Sequence, residues 1–456
     1  MCGIVGYVGK REAYPIIVKG LKRLEYRGYD SAGVAIGNSG KITIFKQKGK
    51  VSNLEAYVSN SDYSGSIAIG HTRWATHGPP SQINAHPHTS GDGKLSLIHN
   101  GIIENYNALK KALVKKGHIF QSDTDTEVLV HLIEEIKNHE KVTLFEAVRI
   151  ALSEVVGAYA IVVMEEGSNN ELIAARKGSP LLIGVGRDEY YIASDATPII
   201  EYTNEVVYLE DGEIARVNPD LPLELKTITN EKITPYIHEL QLSLDNIEKG
   251  GFPHFMLKEI YEQPNSVLDT LRGRVGAQDK EVKLGGISDY EKKIINADRI
   301  IIVACGTSWH AALIGEYLFE DLERITVEVE YASEFRYRDP LVFQDDIVIP
   351  ISQSGETADT LAAINIAKNK NPFIYGICNV VGSSISRQTD SGIYTHAGPE
   401  IGVASTKAFT TQITVLILLA IKIAEIKGNI GKSDLISLLV ELKSVPDKIK
   451  NFLNKE

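Results

Sequence analysis

The chain opens with Met1-Cys2-Gly3-Ile4-Val5-Gly6, where a cysteine at the second position leads into an apolar run that continues to residue 8. Because the residue after Met1 has a small side chain, we expect removal of Met1 and a free α-amine on Cys2. An α-amine has an unperturbed pKa of about 7.7–8.0, so it can act as general base for the neighbouring thiol. The stretch predicts a first strand with a nucleophile at its start, although coincidence alone could place a cysteine there.

Composition narrows the class of protein. A length of 456 residues predicts two or three domains, and 43% hydrophobic with 23% charged residues is typical of a soluble globular protein. A net charge of -11 without a basic block argues against a nucleic-acid partner. Three cysteines without paired spacing indicate a reducing, cytoplasmic location. We find no signal peptide, and the apolar stretch 413–423, broken by Lys422, predicts a core helix and no membrane span.

Residues 1–235 predict a layered α+β domain. Short apolar runs precede three helical patterns at 105–116, 126–137 and 144–155, and a series of hairpin strands follows from 159 to 217. Strands on both sides of a helical block predict antiparallel sheets packed between helices.

The rest of the chain has a different pattern of polar and apolar residues. Residues 236–297 are polar and helical, and predict an interdomain linker. Between 298 and 430, fully apolar strands alternate with helices, which predicts a parallel sheet covered on both faces. Residues 431–456 predict a helical tail.

Several segments in the first domain contain more polar, aromatic and glycine residues than an ordinary turn requires. They are 24–33 (LEYRGYDSAG), 71–78 (HTRWATHG), 99–101 (HNG) and 122–127 (SDTDTE). They resemble class II glutamine amidotransferase domains. As a set they are similar to the glutamine–fructose-6-phosphate aminotransferase (isomerising) family, also called glucosamine-6-phosphate synthases. The resemblance implies an N-terminal-nucleophile fold with αββα layers, glutamine hydrolysis at Cys2, and no cofactor.

The residue types fit the chemistry of glutamine. Arg73 offers a planar fork for the α-carboxylate, and Asp125 a countercharge for the α-ammonium. The Asn100 side-chain N–H and the Gly101 backbone N–H match an oxyanion. The resemblance adds residues that lie near, line or gate this pocket: Arg27, Trp74, Thr76 and His77. In that family the tryptophan gates an ammonia passage.

Two alternatives remain for these segments. Asp125 could serve only at a helix N-terminus, because Ser, Asp and Thr clusters cap helices routinely. His86 and His88 could suggest metal ligands, but no carboxylate or cysteine has matching spacing. A structural loop is favoured there, and no metal is expected.

Two loops in the second half predict a phosphate site. Segments 305–308 (CGTS) and 352–357 (SQSGET) each follow a predicted strand and lead into a helix. Such loops offer backbone N–H groups, hydroxyls and a helix dipole to a phosphate. Neither a nucleotide P-loop nor a GxGxxG pattern is present, which favours a phosphosugar. Plain helix capping explains one such loop, but two at the ends of strands in one sheet favour a ligand.

These loops resemble the sugar isomerase (SIS) domain, and 352–360 (SQSGETADT) is specific to the aminotransferase family. The resemblance implies an αβα sandwich that binds fructose 6-phosphate. The implied contact residues are Thr307, Ser308, Ser352, Gln353, Ser354, Thr357, Val403 and Ser405. Lys407 looks like an amine nucleophile, but at a helix start it is more often a surface charge.

The resemblance covers the whole chain, yet family members continue for about 150 residues, an ordinary domain length. That portion is a second SIS domain, which supplies the glutamate base, the ring-opening histidine and the Schiff-base lysine. We therefore expect a fragment rather than a natural short form, with glutaminase activity but no complete synthesis of glucosamine 6-phosphate.

The resemblance also implies the first step of hexosamine synthesis and a homodimer formed through SIS domains. Other class II amidotransferases would need a phosphoribosyl or pyrophosphatase motif, and neither is present. The alternative is a sugar-phosphate-binding regulatory protein with a vestigial glutaminase domain. An intact set of Cys2, Arg73, Asn100 and Asp125 argues against it.

Overall fold

The computed structural model describes residues 2–75, 77–167, 170–240, 248–276 and 281–455. The chain divides into two compact units, Met1–Leu244 and Asp245–Glu456. Each unit has its own sheets and its own buried apolar clusters.

The described strands of the first unit run antiparallel in two sheets. In chain order they are β1 (Gly3–Val8), β2 (Ser31–Asn38), β3 (Lys41–Lys48), β4 (Ile67–Arg73), β5 (His88–Thr89), β6 (Leu95–Ile103), β7 (Gly157–Glu165), β8 (Leu172–Lys177), β9 (Leu182–Gly186), β10 (Glu189–Ala193), β11 (Glu205–Tyr208), β12 (Glu213–Val217), β13 (Glu224–Thr227), β14 (Lys232–Ile233) and β15 (His238–Glu239). One sheet has the order β15-β11-β9-β10-β1-β4-β2-β3, and the other β14-β13-β12-β8-β7-β6-β5.

Helices cover the outer faces of these two sheets. They are α1 (Ala13–Leu24), α2 (Val51–Val58), α3 (Tyr106–Lys115), α4 (Thr126–Glu140) and α5 (Leu144–Ser153), with a 3-10 turn at Glu25–Arg27. Alternation along β1 shows the layering. Val5 and Tyr7 pack in the cluster that contains α1, whereas Ile4 and Val8 pack against residues of the second sheet. The αββα order predicted from the sequence is confirmed.

The second unit is built on a parallel sheet with the order β17-β16-β18-β19-β20. Its strands are β16 (Arg299–Ala304), β17 (Thr326–Tyr331), β18 (Asp346–Ser352), β19 (Phe373–Cys378) and β20 (Ser391–Tyr394). Its helices are α6 (Phe255–Leu271), α7 (Gly285–Ser288), α8 (Glu291–Ile295), α9 (Thr307–Glu323), α10 (Ala332–Tyr337), α11 (Ala358–Lys368), α12 (Ser384–Gln388), α13 (Lys407–Lys427) and α14 (Lys432–Leu453).

Both faces of the parallel sheet are covered, as its apolar strands predict. Ile300 and Ile302 pack in the cluster of α6, α9, α13 and α14. Ile301 and Val303 pack in the cluster of α10, α11 and α12. The predicted αβα sandwich is confirmed.

Two segments of this unit pack more closely than their polar sequences suggest. The predicted linker supplies Val267 and Leu284 to the main cluster of the second unit, and the tail helix α14 adds Leu435 and Leu439. Both helices α6 and α14 are amphipathic, so a mostly polar composition conceals one apolar face.

Helix α13 is the one described helix long and apolar enough, by length and composition, to cross a membrane. The apolar stretch 413–423, predicted from the sequence to form a core helix, is part of these 21 residues. Of its most apolar window, 61% is buried, and Leu416 and Leu419 lie in the main cluster beside α9. A core helix accounts for its composition.

Candidate active site

Strand β1 brings Cys2 against the end of β4. The antiparallel register pairs Gly3 with Thr72, so the start of β1 meets the residues that follow β4. The Trp74 backbone N–H donates to Cys2 Sγ at 3.2 Å, and Sγ lies 3.5 Å from the Trp74 carbonyl oxygen. Gly3 is required for this approach, because a Cβ there would lie 2.7 Å from Thr72 Oγ1 and 2.7 Å from Leu24 Cβ.

The surroundings of Cys2 act on its thiol in opposite directions. Burial raises the pKa of the Cys2 thiol and is the largest effect. The Trp74 backbone hydrogen bond and the nearby Arg73 charge lower that pKa. The net direction is upward, so the thiol needs a base to become a nucleophile.

Asn100 at the centre of β6 reaches the same point. Its Nδ2 donates to the Cys2 carbonyl oxygen at 3.1 Å, and its Oδ1 lies 2.9 Å from His71 Nε2. That nitrogen also lies 3.1 Å from the His99 carbonyl oxygen, which can only accept, so Nε2 carries the hydrogen. His71 therefore fixes the Asn100 amide with its NH₂ toward Cys2.

His71 stays neutral in this arrangement. Burial lowers the pKa of His71 to about 3. Its ring stacks on His86 with a centroid distance of 4.1 Å. His71 is a positioning residue that sequence reasoning missed; its place in the 71–78 segment was the only signal.

His86 and His88, whose residue type could suggest metal ligands, take part in hydrogen bonds with neighbouring polar groups. His86 Nδ1 accepts from the His99 backbone N–H at 3.2 Å, and His86 Nε2 lies 3.4 Å from Thr126 Oγ1. Thr126 Oγ1 in turn lies 2.9 Å from His99 Nδ1. His88 Nε2 lies 3.1 Å from Thr124 Oγ1. Burial lowers the pKa of His86 and of His88, so both rings are neutral.

Arg73 and Asp125 are both buried, and Arg73 lies close enough to respond to the charges of Cys2 and Asp125. One arm of the guanidinium, Nη2, donates to the carbonyl oxygens of His77 and Gly78. The other, Nη1, is buried without a hydrogen-bond partner among the described residues. Burial lowers the pKa of Arg73, opposed by the charges of Cys2 and Asp125. A buried, partly unpaired guanidinium suits a carboxylate ligand.

Asp125 does not cap helix α4. It precedes the helix in a helical backbone conformation and makes no side-chain capping bond. Its Oδ2 instead accepts from the Ile103 backbone N–H at 2.7 Å. Asp125 thus lies at the start of α4 without making a capping hydrogen bond, and its other carboxylate oxygen has no hydrogen-bond partner among the described residues.

The loop after β4 is held in place by residues of the 24–33 segment. Asp30 Oδ2 accepts from the Ala75 N–H at 2.8 Å. The backbone N–H of Asp30 donates to the Arg73 carbonyl oxygen at 3.0 Å. A Cβ on Gly28 would lie 2.7 Å from the Arg73 carbonyl carbon. These contacts explain why the 24–33 segment is rich in charge and glycine.

The other predicted residues of this pocket differ in their contacts. Gly101 has a φ of +138°, and a Cβ there would lie 2.0 Å from the Ala158 carbonyl oxygen. Trp74 is 41% exposed and packs edge-on against Tyr29. His77 packs its ring against Tyr106 at 5.6 Å. Thr76 lies outside the described residues.

Arg27 is engaged elsewhere. Its Nη2 pairs with Asp195, its Nη1 donates to the Ser194 carbonyl oxygen at 3.5 Å, and its Nε donates to the Tyr26 hydroxyl. These bonds tie the turn after α1 to the end of β10. A glutamine-binding role for Arg27 stays a prediction.

The predicted phosphate loops lie side by side in the second unit. The chain steps from β16 to β17 on one side and returns to β18 on the other, so the strand order reverses between β16 and β18. Ala304 at the end of β16 lies opposite Ile351 near the end of β18. Open α/β sheets bind ligands at this switch point.

The hydroxyls of these loops do not cap the helices that follow. The residue before α9 is Gly306, and Thr357 before α11 makes no capping bond. Thr357 Oγ1 lies 2.9 Å from Ser352 Oγ, which accepts from the Gly355 N–H at 3.0 Å. The plain capping interpretation is therefore wrong for both loops. Ser354 Oγ accepts locally from the Glu356 N–H at 3.2 Å, and the Gln353 carbonyl oxygen accepts from the Asn379 N–H at 3.3 Å.

Gly355 shapes the second loop. It has a φ of +68°, and a Cβ would lie 2.0 Å from Ser383 Oγ. In the first loop, Thr307 is exposed and Ser308 is buried, with its hydroxyl accepting from Gln412 Nε2 at 3.0 Å.

A third loop of this unit carries Val403 and Ser405. Val403 is 77% exposed and Ser405 is half-buried. Glu259 of α6 holds the loop by accepting from the backbone N–H groups of Ile401 and Gly402, at 2.6 and 2.9 Å.

Lys407, expected to be a surface charge, is buried. Its Nζ donates to Glu262 Oε2 of α6 at 2.6 Å. The lysine begins α13, and its side chain packs inward because α6 offers a carboxylate there. The surface interpretation is therefore wrong.

Known proteins share both units. A model described as a glutamine amidotransferase domain matches residues 71–201, and one described as a SIS domain matches residues 293–422. Over 454 residues the chain is 59% identical to glutamine–fructose-6-phosphate aminotransferase (isomerizing) of Bacteroides thetaiotaomicron, covering 99% of this chain and 74% of that protein. A relative of the same name from Chlorobaculum tepidum is 58% identical, with 98% and 73% covered.

Among solved structures, the C-terminal domain of glucosamine-fructose-6-phosphate aminotransferase from Francisella tularensis is 40% identical, covers 44% of this chain and 56% of that one, and has a TM-score of 0.42. The full-length relatives decide the assignment, because their identity extends through both units. The chain belongs to the glutamine–fructose-6-phosphate aminotransferase family.

Proposed function

We propose that the chain hydrolyses glutamine and binds fructose 6-phosphate, within the aminotransferase reaction that transfers the ammonia to this sugar and gives glucosamine 6-phosphate and glutamate. The chain alone should release glutamate without completing that synthesis. The observation that carries the proposal is the gathering of Cys2, Asn100, Arg73 and Asp125 from separate strands and loops into one buried polar site. The names of the relatives supply the acceptor sugar.

The first half-reaction begins at the thiol. Once Met1 is removed, the Cys2 α-amine takes the thiol proton, which the raised thiol pKa makes necessary. The sulfur then attacks the amide carbon of glutamine. The resulting oxyanion accepts hydrogen bonds from the Asn100 amide and the Gly101 backbone. Collapse breaks the C–N bond, and the α-ammonium of Cys2 returns the proton to the leaving ammonia. Water hydrolyses the thioester, which releases glutamate.

The charged ends of glutamine match the two buried groups beside Cys2. The α-carboxylate faces Arg73, whose Nη1 is otherwise unpaired among the described residues. The α-ammonium faces the carboxylate oxygen of Asp125 that Ile103 does not use. His77 and Trp74 complete the pocket in this proposal, with Trp74 as its gate.

The second unit holds the phosphosugar in this proposal. The hydroxyls of Ser352, Ser354 and Thr357, with Gln353, surround the phosphate at the start of α11, and Thr307 and Ser308 approach from α9. Val403 and Ser405 lie near the sugar. Lys407 is paired with Glu262, so we assign it no nucleophilic role.

Measuring glutamate release from glutamine tests the proposal. The purified chain should release glutamate, and Cys2→Ala should lower kcat by about 10⁴-fold or more. Cys378→Ala changes a cysteine in the core of the second unit and should retain the rate, which makes it the matched control. A regulatory phosphosugar sensor would release no glutamate with or without fructose 6-phosphate, and that result would refute the proposal.

We also propose a cytoplasmic location and a homodimer formed through the second unit. All three cysteines are free thiols, which suits a reducing compartment. The second unit exposes large apolar side chains, among them Tyr317, Tyr337 and Leu341, that a partner copy would cover. Sedimentation at several concentrations would detect the dimer.

A further inference from the structure

A second cluster of ionisable side chains lies where helix α4 meets the loop that follows α3. Its members are His118 from that loop and His131 and Glu134 from α4. The two Nδ1 atoms are 3.3 Å apart, and Glu134 Oε2 lies 3.4 Å from His118 Nδ1 and 3.2 Å from His131 Nδ1. We call this cluster the His118–His131–Glu134 triad.

The three distances have a simple geometric meaning. Imidazole nitrogens and carboxylate oxygens bind Zn²⁺ at about 2.0–2.2 Å in tetrahedral sites, and the edge of such a tetrahedron is about 3.3–3.5 Å. The three potential ligand atoms therefore already form one face of a tetrahedral coordination sphere. His131 is 1% exposed, Glu134 8% and His118 12%, so the face is sheltered from solvent.

The outer nitrogens of the two rings point to carboxylates. His118 Nε2 lies 3.1 Å from Glu135 Oε2, and His131 Nε2 lies 3.6 Å from Glu127 Oε1. Carboxylates only accept, so the His118 hydrogen belongs on Nε2. The His131 separation is too long for a hydrogen bond, but the nearby Glu127 charge favours a hydrogen on Nε2 there as well. Both Nδ1 atoms then present lone pairs, as in the carboxylate–histidine–metal arrangements of known sites.

The carboxylate of the triad is also held in place. Glu134 Oε2 accepts from the Gly91 N–H and Oε1 from the Asp92 N–H, each at 2.9 Å. Two lone pairs and a carboxylate oxygen thus converge. A hydrogen on one Nδ1 cannot lie along all three contacts at once, whereas a cation in contact with all three atoms satisfies them together.

We propose that the His118–His131–Glu134 triad binds a divalent first-row transition-metal ion, with water in the fourth position. Two imidazoles and one carboxylate form a donor set typical of zinc and its neighbours. The competing occupant is a proton shared between the two rings.

The ion would stabilise the segment that carries Asp125. It would tie the loop with His118 to α4. Through Glu127, His131 is linked to the backbone N–H groups of Gln121 and Ser122, each 2.7 Å from that carboxylate. Metal binding should therefore raise the melting temperature of the first unit, because an ion that binds only the folded state stabilises it.

The test uses tag-free protein in a Cys2→Ala background, since the thiol is itself a soft metal ligand. After chelator treatment, equilibrium dialysis against Zn²⁺ should load one ion per chain, and Co²⁺ should give the intense visible bands of a tetrahedral site. His118→Ala should abolish both signals and the thermal shift. Glu135→Gln keeps the ligands and should weaken Zn²⁺ affinity by about 10- to 100-fold.

His139→Ala is the matched control, because His139 lies on the same helix, is exposed, and pairs only with the neighbouring Glu140 in the described contacts. It should bind Zn²⁺ like the parent. Failure of the parent to retain Zn²⁺ would overturn the proposal in favour of a shared proton. Equal binding by parent, His118→Ala and Glu135→Gln would overturn it as well. If His118→Ala does not fold, Glu135→Gln decides.

Discussion

The two sites of this chain are built in different ways. In the first unit, single groups from distant parts of the chain act on Cys2: the Trp74 backbone, the Asn100 side-chain amide and the Arg73 charge. In the second unit, neighbouring residues of two loops present hydroxyls and backbone N–H groups at one sheet edge. The geometry of the first site depends on individual contacts, whereas the geometry of the second depends on the path of the backbone.

That difference determines how each site should fail. Loss of one donor in the first unit leaves a developing charge without its partner, so rates should fall steeply. Loss of one hydroxyl in the second unit leaves several donors in place. The second site should be most sensitive to changes that block its backbone conformation.

Among substitutions that leave the nucleophile in place, the largest effect is expected from Asn100→Ala in the first unit. It removes one oxyanion donor, and kcat for glutamate release should fall by about 10²–10³-fold with little change in KM. Steady-state kinetics would measure both values, with the thermal transition as a control for folding. A variant with unchanged kcat would break the contrast between the two sites.

A backbone block should have the next largest effect. Gly355→Ala places a Cβ against Ser383 in a left-handed conformation, and affinity for fructose 6-phosphate should fall by about 10-fold or more. Calorimetric titration would measure it, while glutaminase kcat in the absence of sugar should stay unchanged. Gly306→Ala has the same sign of φ but no atom within 4 Å of its Cβ, so it isolates backbone strain and should lose less affinity.

His71 tests whether an indirect contact in the first site matters. His71→Leu leaves Asn100 Oδ1 without its donor, and kcat should fall by about 10-fold, the cost of one buried unmet hydrogen bond. His71→Gln can still donate and should recover part of that loss. Equal kcat values for the two variants would show that His71 only fills space.

The smallest effect concerns stability away from both sites. Burial raises the pKa of Glu323 from its usual 4.5 to about 9, and neither carboxylate oxygen has a partner among the described residues. The folded state therefore binds a proton that the unfolded state loses between about pH 4.5 and 9, so this group lowers stability as pH rises through that window.

Glu323→Gln removes this titration. At pH 8 the variant should be more stable than the parent, and near pH 4.5 the two should be alike. Thermal unfolding across that pH range would measure the difference. A variant that is less stable at pH 8 would show that the carboxylate has a charged partner after all.

The two sites also differ in how much of each can be predicted from the sequence. The placement of the two loops at the ends of β16 and β18 was predictable because strand, loop and helix are contiguous, and Gly355 lies within the motif itself. Their role in phosphate binding stays a prediction. The partners of Cys2 could be named only through family resemblance, because antiparallel register decides which residues meet. His71 escaped notice because its role is to orient Asn100 from another strand.

Short elements and contacts between distant residues explain the remaining differences between the sequence-based predictions and the structure. Helix α2 and strands β13 to β15 were missed, since each has too few residues for a clear periodicity. Lys407 was read as a surface charge because its partner, Glu262, lies 145 residues away on another helix. The triad was missed because His118 precedes His131 by thirteen positions and comes from a different element.

The most direct test of the account is intact-mass analysis after reaction with a glutamine-analogue electrophile. We predict loss of Met1 and a single adduct, located by peptide mapping at Cys2 and absent from Cys2→Ala. Retention of Met1, or an adduct at Cys305 or Cys378 instead, would contradict the claim that Cys2 is the nucleophile.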